Sequence, residues 1–175
     1  MRSVRRTILV CTAMLMAPAM TASQAAATPT LLVLPLSLND TSGETPSRTQ
    51  EHVERLAALT RYLSQMLAAD GRYTVIDPTP IVGAIEKVLA TQPLDACNGC
   101  ERDLARQAHA DRVLIGGVDK VSTLIGSLSL NIEDVATGGS VFSRVLSFRG
   151  DTDDAWQHAV RFFVRDLQAS PQQQR

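Results

Sequence analysis

The stretch from Cys97 to Val121 constrains the fold more than any other part of the chain. It reads Cys97-Asn98-Gly99-Cys100, then a short helical segment to His109, then Arg112-Val113-Leu114-Ile115-Gly116-Gly117-Val118-Asp119-Lys120-Val121. The last segment is the most apolar strand of the second half, and a strand of this kind needs cover on both faces. The other elements are therefore expected to pack on it. Leu31-Leu32-Val33-Leu34 is another continuous apolar run and reads as a second doubly buried strand. Pro35 cannot donate to a sheet ladder, so it marks either the strand end or a point where no ladder bond is needed.

Asn39 to Ser47 reads as a polar loop. Leu56, Leu59, Leu63, Met66 and Leu67 then recur at helical spacing, which predicts a helix over 49–69 with Arg55 and Arg61 on the opposite side. Asp70-Gly71 stops it, and 73–76 is a short strand. Thr79 and Pro80 suit the cap and first turn of a second helix. Leu128, Leu130 and Ile132 alternate with Ser127, Ser129, Asn131 and Glu133, the pattern of a half-buried antiparallel strand. Thr137-Gly138-Gly139 turns a hairpin into a last strand over 141–148. Trp156, Ala159, Val160, Phe163 and Leu167 then share one face of a final helix. The order is β-α-β-α-α-β-β-β-α. Its early β-α-β unit favours a right-handed parallel crossover. The expected fold is α/β (α+β): a single mixed sheet of about five strands packed with four helices, one domain over 28–170, with a disordered tail over 171–175.

The N-terminus sets the compartment. Arg2, Arg5 and Arg6 precede an apolar run from Thr7 to Met20, and Ala25-Ala26-Ala27 places small residues before a cut ahead of Thr28. This is the pattern of a secretory signal peptide over 1–27, and the run is short for a membrane-spanning helix. Cys11 does not read as a lipoprotein cysteine, because Val10 before it is bulky and the apolar run continues past it. The whole chain carries 17 basic and 18 acidic residues. Cleavage leaves 14 basic residues against 18 acidic and no basic face of the kind nucleic acid requires. It also leaves Cys97 and Cys100 as the only cysteines, most simply a disulfide in an exported protein.

Three groups of residues could carry chemistry. Cys97 and Cys100 stand where a helix begins, as in thiol-disulfide enzymes, whose thiolate the helix N-terminus stabilises. Glu101 opposes a thiolate there, so a structural staple is the simpler reading. Asp151, Asp153 and Asp154 offer hard oxygen ligands, but acids at a helix start also meet the positive end of its dipole, with Asp151 or Thr152 as cap. Asp40, Thr41 and Ser42 lie past the end of the first strand, where open α/β sheets bind ligands, although a polar loop is also an ordinary way to leave a sheet. Trp156 is read as the anchor of the last helix, with ligand stacking as its functional alternative. His52 and His109 are conceivable zinc ligands, but their spacing does not point to a site. Gly116-Gly117 inside a strand implies a bulge or close backbone packing.

Asn39-Asp40-Thr41-Ser42, the Cys97–Cys100 string, Ala110 to Ser122, Asp134-Val135-Ala136-Thr137-Gly138 and Arg149-Gly150-Asp151-Thr152-Asp153-Asp154-Ala155-Trp156 together resemble a family of exported bacterial proteins known as a domain of unknown function of the 2380/3280 type. That family's usual end motif is R-G-N-T-D-x-S-W; Asp151 replaces its Asn and Ala155 its Ser. The strand order is more distantly similar to the N-terminal domain of the periplasmic TolB protein and to the curli-secretion lipoprotein fold, both assembly or partner-binding modules. The family brings no known activity with it; the signal-peptide pattern, the missing catalytic set and the fold analogy together point to an exported periplasmic, non-enzymatic module, without cofactor or metal, that binds a protein partner or small ligand in the cell envelope. The alternative is a thiol-disulfide oxidoreductase using Cys97 and Cys100. The ligand or partner surface would comprise Asp40, Thr41, Ser42, Asp151, Asp153, Asp154 and Trp156. N-terminal sequencing of the exported protein is expected to begin near Thr28; retention of Met1 would contradict the signal-peptide reading.

Overall fold

The computed structural model describes residues 27–44 and 49–171. The expected signal peptide, apart from Ala27, lies outside them, as do most of the expected tail and residues 45–48. The elements are β1 (Thr30–Val33), β2 (Ser37–Asp40), α1 (Thr49–Asp70), β3 (Thr74–Val75), α2 (Val82–Leu89), α3 (Cys100–Gln107), β4 (Arg112–Lys120), β5 (Ile125–Asp134), β6 (Ser140–Arg149) and α4 (Asp153–Ala169). They form one mixed sheet in the order β3-β1-β4-β5-β6, with β2 also paired to β4. β1 runs parallel to β3 and β4, β2 runs parallel to β4, and β4, β5 and β6 form an antiparallel meander. The α/β expectation holds, with six strands because Ser37–Asp40, beyond the expected Leu31–Leu34 strand and partly in the expected polar loop, forms a strand of its own.

Pro35 is the reason. Val33 stands opposite Leu114 and Ser37 opposite Gly117, so the first line advances one residue further than β4 between these pairs. The extra residue makes a bulge, and a one-residue offset exchanges the faces of the sheet. Before it, Leu31 and Val33 join the core against α1 and α4, while Leu32 and Leu34 face α2 and α3. After it, Leu36 and Leu38 are the residues packed into the α1/α4 core. Asp40 inherits that phase and lies on the same face as Lys120, its partner across the ladder. Asn39 and Asp40 therefore belong to a strand rather than to the polar loop expected there.

The first core contains Leu59, Leu63 and Leu67 of α1, Leu114 and Val118 of β4, Leu128, Leu130 and Ile132 of β5, and Trp156, Val160 and Phe163 of α4. The second packs Ile85 of α2 and Leu104 and Ala105 of α3 against Leu32, Leu34 and Val113. The β5–β6 hairpin has helical cover on one face only. Gly116 and Gly117 serve close packing, since a Cβ would lie 2.1 Å from the Ser129 carbonyl oxygen or 2.2 Å from Ser37 Oγ. The only register irregularity between β5 and β6 is at Ile132 and Glu133. Ahead of α2, Asp77 Oδ1 accepts from Thr79 N at 3.0 Å and from Thr79 Oγ1 at 2.7 Å. Thr79 is thus the residue being capped, and a single 3-10 turn, Thr79–Ile81, leads into the helix. Among the described residues no helix is long and apolar enough to cross a membrane.

Trp156 is 1% exposed and packs near Phe148, with ring centroids 5.9 Å apart. Its indole N–H finds no hydrogen-bond partner among the described residues, so no hydrogen bond from the indole anchors it. Replacing it by alanine (Trp156→Ala) is expected to cost about 3–5 kcal/mol. Native tryptophan fluorescence should be blue-shifted and move red in a denaturant titration.

Candidate functional site

Beside that tryptophan, on the same face of the sheet, lies the most unusual chemistry of the chain. β4 places Leu114, Gly116, Val118 and Lys120 on one face, so an ammonium ends a row of core positions. Lys120 is 2% exposed. A buried ammonium is costly unless paired, and the surrounding elements supply the partners. Glu44, on the segment after β2, accepts a hydrogen bond from Nζ. Asp151, just ahead of α4, places Oδ2 at 3.1 Å, and Asp40 at the end of β2 places Oδ2 at 3.7 Å.

His52 of α1, 3% exposed, completes the cluster. Nδ1 lies 3.5 Å from Asp40 Oδ2, while Nε2 lies 3.3 Å from Asp151 Oδ2 and 3.4 Å from Lys120 Nζ. Nε2 can donate to Asp151 or accept from Lys120, but not both at once. One helical turn on, Arg55 donates to Asp151 Oδ1 at 2.5 Å, Asp153 Oδ1 at 2.7 Å and Glu51 Oε1 at 2.7 Å. Its guanidinium stands 5.3 Å from the Trp156 ring centroid, where a cation meets the negative ring face. Arg55 thus turns into this cluster, contrary to the expected outward face of α1.

Burial alone would raise the Asp151 carboxyl. Hydrogen bonds from Lys120 and His52 and the charge of Arg55 outweigh it and hold the group below its ordinary range. Asp40 is likewise held low against burial, chiefly by the Ser42 hydroxyl and backbone N–H at 2.5 and 2.9 Å. For Lys120, burial pulls down, but Glu44 and Asp151 push its pKa above the usual lysine value. A lysine kept protonated in this way is neither nucleophile nor base. Asp40, Glu44 and His52 offer ligand atoms within 4.8 Å of one another, as a cation site would. Lys120 Nζ lies among them and supplies the positive charge itself.

The structure thus joins Asp40, Asp151 and Asp153, which the sequence places in two separate groups. Thr41 N and Oγ1 donate to the Lys120 carbonyl at 2.9 and 3.3 Å, and Ser42 orients Asp40. Thr152, not Asp151, caps α4, its side chain accepting from Ala155 N at 3.2 Å. Asp154 points elsewhere, to Arg161 at 3.3 Å. Sequence reasoning missed Lys120, Glu44 and Arg55 and gave His52 no role in such a cluster. Two signals were available: Lys120 shares the alternation of Leu114 and Val118, and His52 precedes Leu56, Leu59 and Leu63 at helical spacing.

Cys97 and Cys100 lie on the opposite side of the sheet, joined as a disulfide with Cα atoms 5.8 Å apart. Cys97 Sγ accepts from Cys100 N at 3.2 Å, and buried Glu101 accepts from Gly99 N at 2.9 Å. The disulfide borders a polar groove of about 570 Å3 whose walls include Asp95, Arg102, Asp119 and Glu133. Burial, then the charge of Glu101, pushes the Glu133 carboxyl above its ordinary range. A larger, more apolar groove of about 900 Å3 lies between β6 and α4, lined by residues including Ile125, Leu146, Phe148, Ala155, His158 and Phe162.

Residues 29–167 match the family DUF3280, described as "Protein of unknown function (DUF2380)". The chain belongs to this family. No curated protein matches it by sequence. Among solved structures it is similar to the PelC dodecamer from Paraburkholderia phytofirmans, with 17% identity and a TM-score of 0.52 over 82% of this chain and 89% of that one. It is also similar to lipoprotein GNA1162 from Neisseria meningitidis, with 18% identity and a TM-score of 0.50 over 81% and 97%. TolB from Acinetobacter baumannii is a more distant likeness, with 13% identity and a TM-score of 0.46 over 82% of this chain and 29% of that one. At these identities the likeness is one of fold.

Lys120→Met is expected to destabilise this DUF3280 chain by about 3–5 kcal/mol, because it strands buried carboxylates. Asp40 and Asp151 have depressed folded-state pKa values, so their contribution is present above the unfolded value of about 3.9 and lost as pH falls through the folded one. Lys120 has a raised value, so its contribution is complete below about 10.4 and lost as pH rises through the folded value. Thermal melts across pH should therefore show an acid limb and an alkaline limb, and Lys120→Met should move the acid limb to higher pH.

Proposed function

We propose that the chain is an exported, non-enzymatic module of the bacterial envelope that binds a protein partner through the groove between β6 and α4. The observation that carries this reading is the contrast between its polar and apolar features. The charged groups around Lys120 are matched to one another, with the Lys120 ammonium lying among the carboxylates of Asp40, Glu44 and Asp151 and the imidazole of His52. Val145 of β6 and the apolar side chains of the β4–β5 turn, by comparison, are open to solvent. Leu124 is 68% exposed, and Val121 and Ile125 are also exposed beside the groove that contains Phe148 and Phe162. An apolar patch continuous with a groove is the usual form of a protein-binding surface. The signal-peptide pattern supports export, and the disulfide fits an oxidising compartment.

The buried Glu101 carboxylate disfavours a thiolate at Cys97 or Cys100, so a structural disulfide is the reading adopted. On this reading the cluster around Lys120 serves binding indirectly. It fixes the start of α4, and so one wall of the groove, against β2, α1 and β4.

A photo-crosslinking amino acid placed at Leu124 or Phe162 in cells is expected to yield discrete protein adducts. The same probe at exposed Val82, on α2, should yield none. Equal labelling at all three positions, or none at any, would contradict the reading.

A further inference from the structure

β6 is the last strand of the sheet, and no described strand pairs with its outer edge. An open edge of this length invites pairing and is usually protected by charge, proline or a bulge. Here the protection is displaced. Arg144, the charge nearest the middle, lies over the Phe142 ring at 4.6 Å and reaches Asp166 of α4 at 3.5 Å. Arg149 stands at the strand end. The irregularity opposite Ile132 and Glu133 falls at the start of β6, leaving a regular run from Phe142 to Phe148. Val145, at the middle of that run on the face without helical cover, is 67% exposed.

We propose that a second copy of this chain occupies this edge, with the two β6 strands antiparallel about a twofold axis at Val145. The proposal rests on the partner-binding reading above and names the partner. Strand β6 is self-complementary in this register. Residues opposite one another in an antiparallel pair share a face. With Val145 facing its own copy, Ser143 meets Ser147, Phe142 meets Phe148 and Arg144 meets Leu146 of the second copy. Polar pairs with polar on the open face, and aromatic with aromatic on the helical face. No like charges stand opposite. Moving the axis one residue to Arg144 would set two guanidinium groups against each other, which disfavours that register. The pairing joins two six-stranded sheets and brings both β6–α4 grooves to one interface, covering Leu146 and Phe148. It is isologous and therefore closes at two copies.

The test combines sedimentation of the purified protein with cysteine crosslinking. The wild type should sediment as a concentration-dependent dimer. Val145→Lys should weaken the dimer about tenfold or more without changing the circular dichroism spectrum, while Val145→Ile should keep it. Under mild oxidation Val145→Cys should give a covalent dimer, because the two cysteines face each other; Arg149→Cys, opposite Val141 in this register, should not. A monomer at the highest soluble concentration, a dimer indifferent to Val145→Lys, or a dimer that Val145→Cys does not crosslink would each overturn the proposal. If self-association is absent while probes at Leu124 and Phe162 still capture another protein, the second copy is excluded and the partner-binding reading stands. If both fail, both are wrong.

Discussion

The ammonium of Lys120 is the constraint around which the α1/α4 side of the fold is assembled. A charge buried to this degree is tolerated only where opposite charges and hydrogen bonds replace its hydration. Its partners come from chain segments far apart in sequence: Asp40 and Glu44 from the beginning, His52 from α1, and Asp151, which Arg55 of α1 also holds, from the turn before α4. None of these positions can shift far without stranding a charge. Hydrophobic packing holds α1 and α4 on the sheet, but packing tolerates sliding. The ion cluster does not, because its geometry is directional. It therefore sets the register of the two helices against the strand ends.

The bulge at Pro35 makes that cluster possible. Proline can occupy this place because the local irregularity removes the need for an amide donor. The extra residue exchanges the faces of the chain beyond it, carrying Leu36 and Leu38 into the α1/α4 core and Asp40 to the Lys120 side. In perfect register Asp40 would face α2 and α3, and the ammonium would lose a carboxylate. One backbone irregularity thus links a sequence feature that looks like a strand terminator to the electrostatics of the far side of the sheet.

The asymmetry of the layers has a consequence of its own. Around β1 and β4 helices cover both faces, and the strand sequences are correspondingly apolar throughout. At β5 and β6 one face has no helical cover, and serines and asparagine occupy most of it. Val145 and the turn carrying Val121, Leu124 and Ile125 depart from that polar pattern. Among the described residues, the other large apolar side chains that are exposed, Val53, Val82 and Leu89, lie on α1 and α2.

Periodicity by itself determined the four helices, the mixed sheet, the antiparallel meander and the burial of Trp156, because burial on one face leaves a repeating trace at 3.6 or 2 residues. The cysteine count pointed to the pairing, since removal of the signal peptide would leave only two. Tertiary structure decided the rest. Whether Pro35 ended a strand or bulged within one depended on β4 continuing beyond it as a template. Asp151 was equally plausible as a helix cap from sequence; the proximity of Lys120 and Arg55 turned it inward and left capping to Thr152. Lys120 and His52 carried a readable sign, charge or imidazole in an apolar phase, but their partners did not. Ion pairs between residues some seventy to a hundred positions apart leave no local pattern, because the attraction depends on distance in space, and only the folded chain sets that distance.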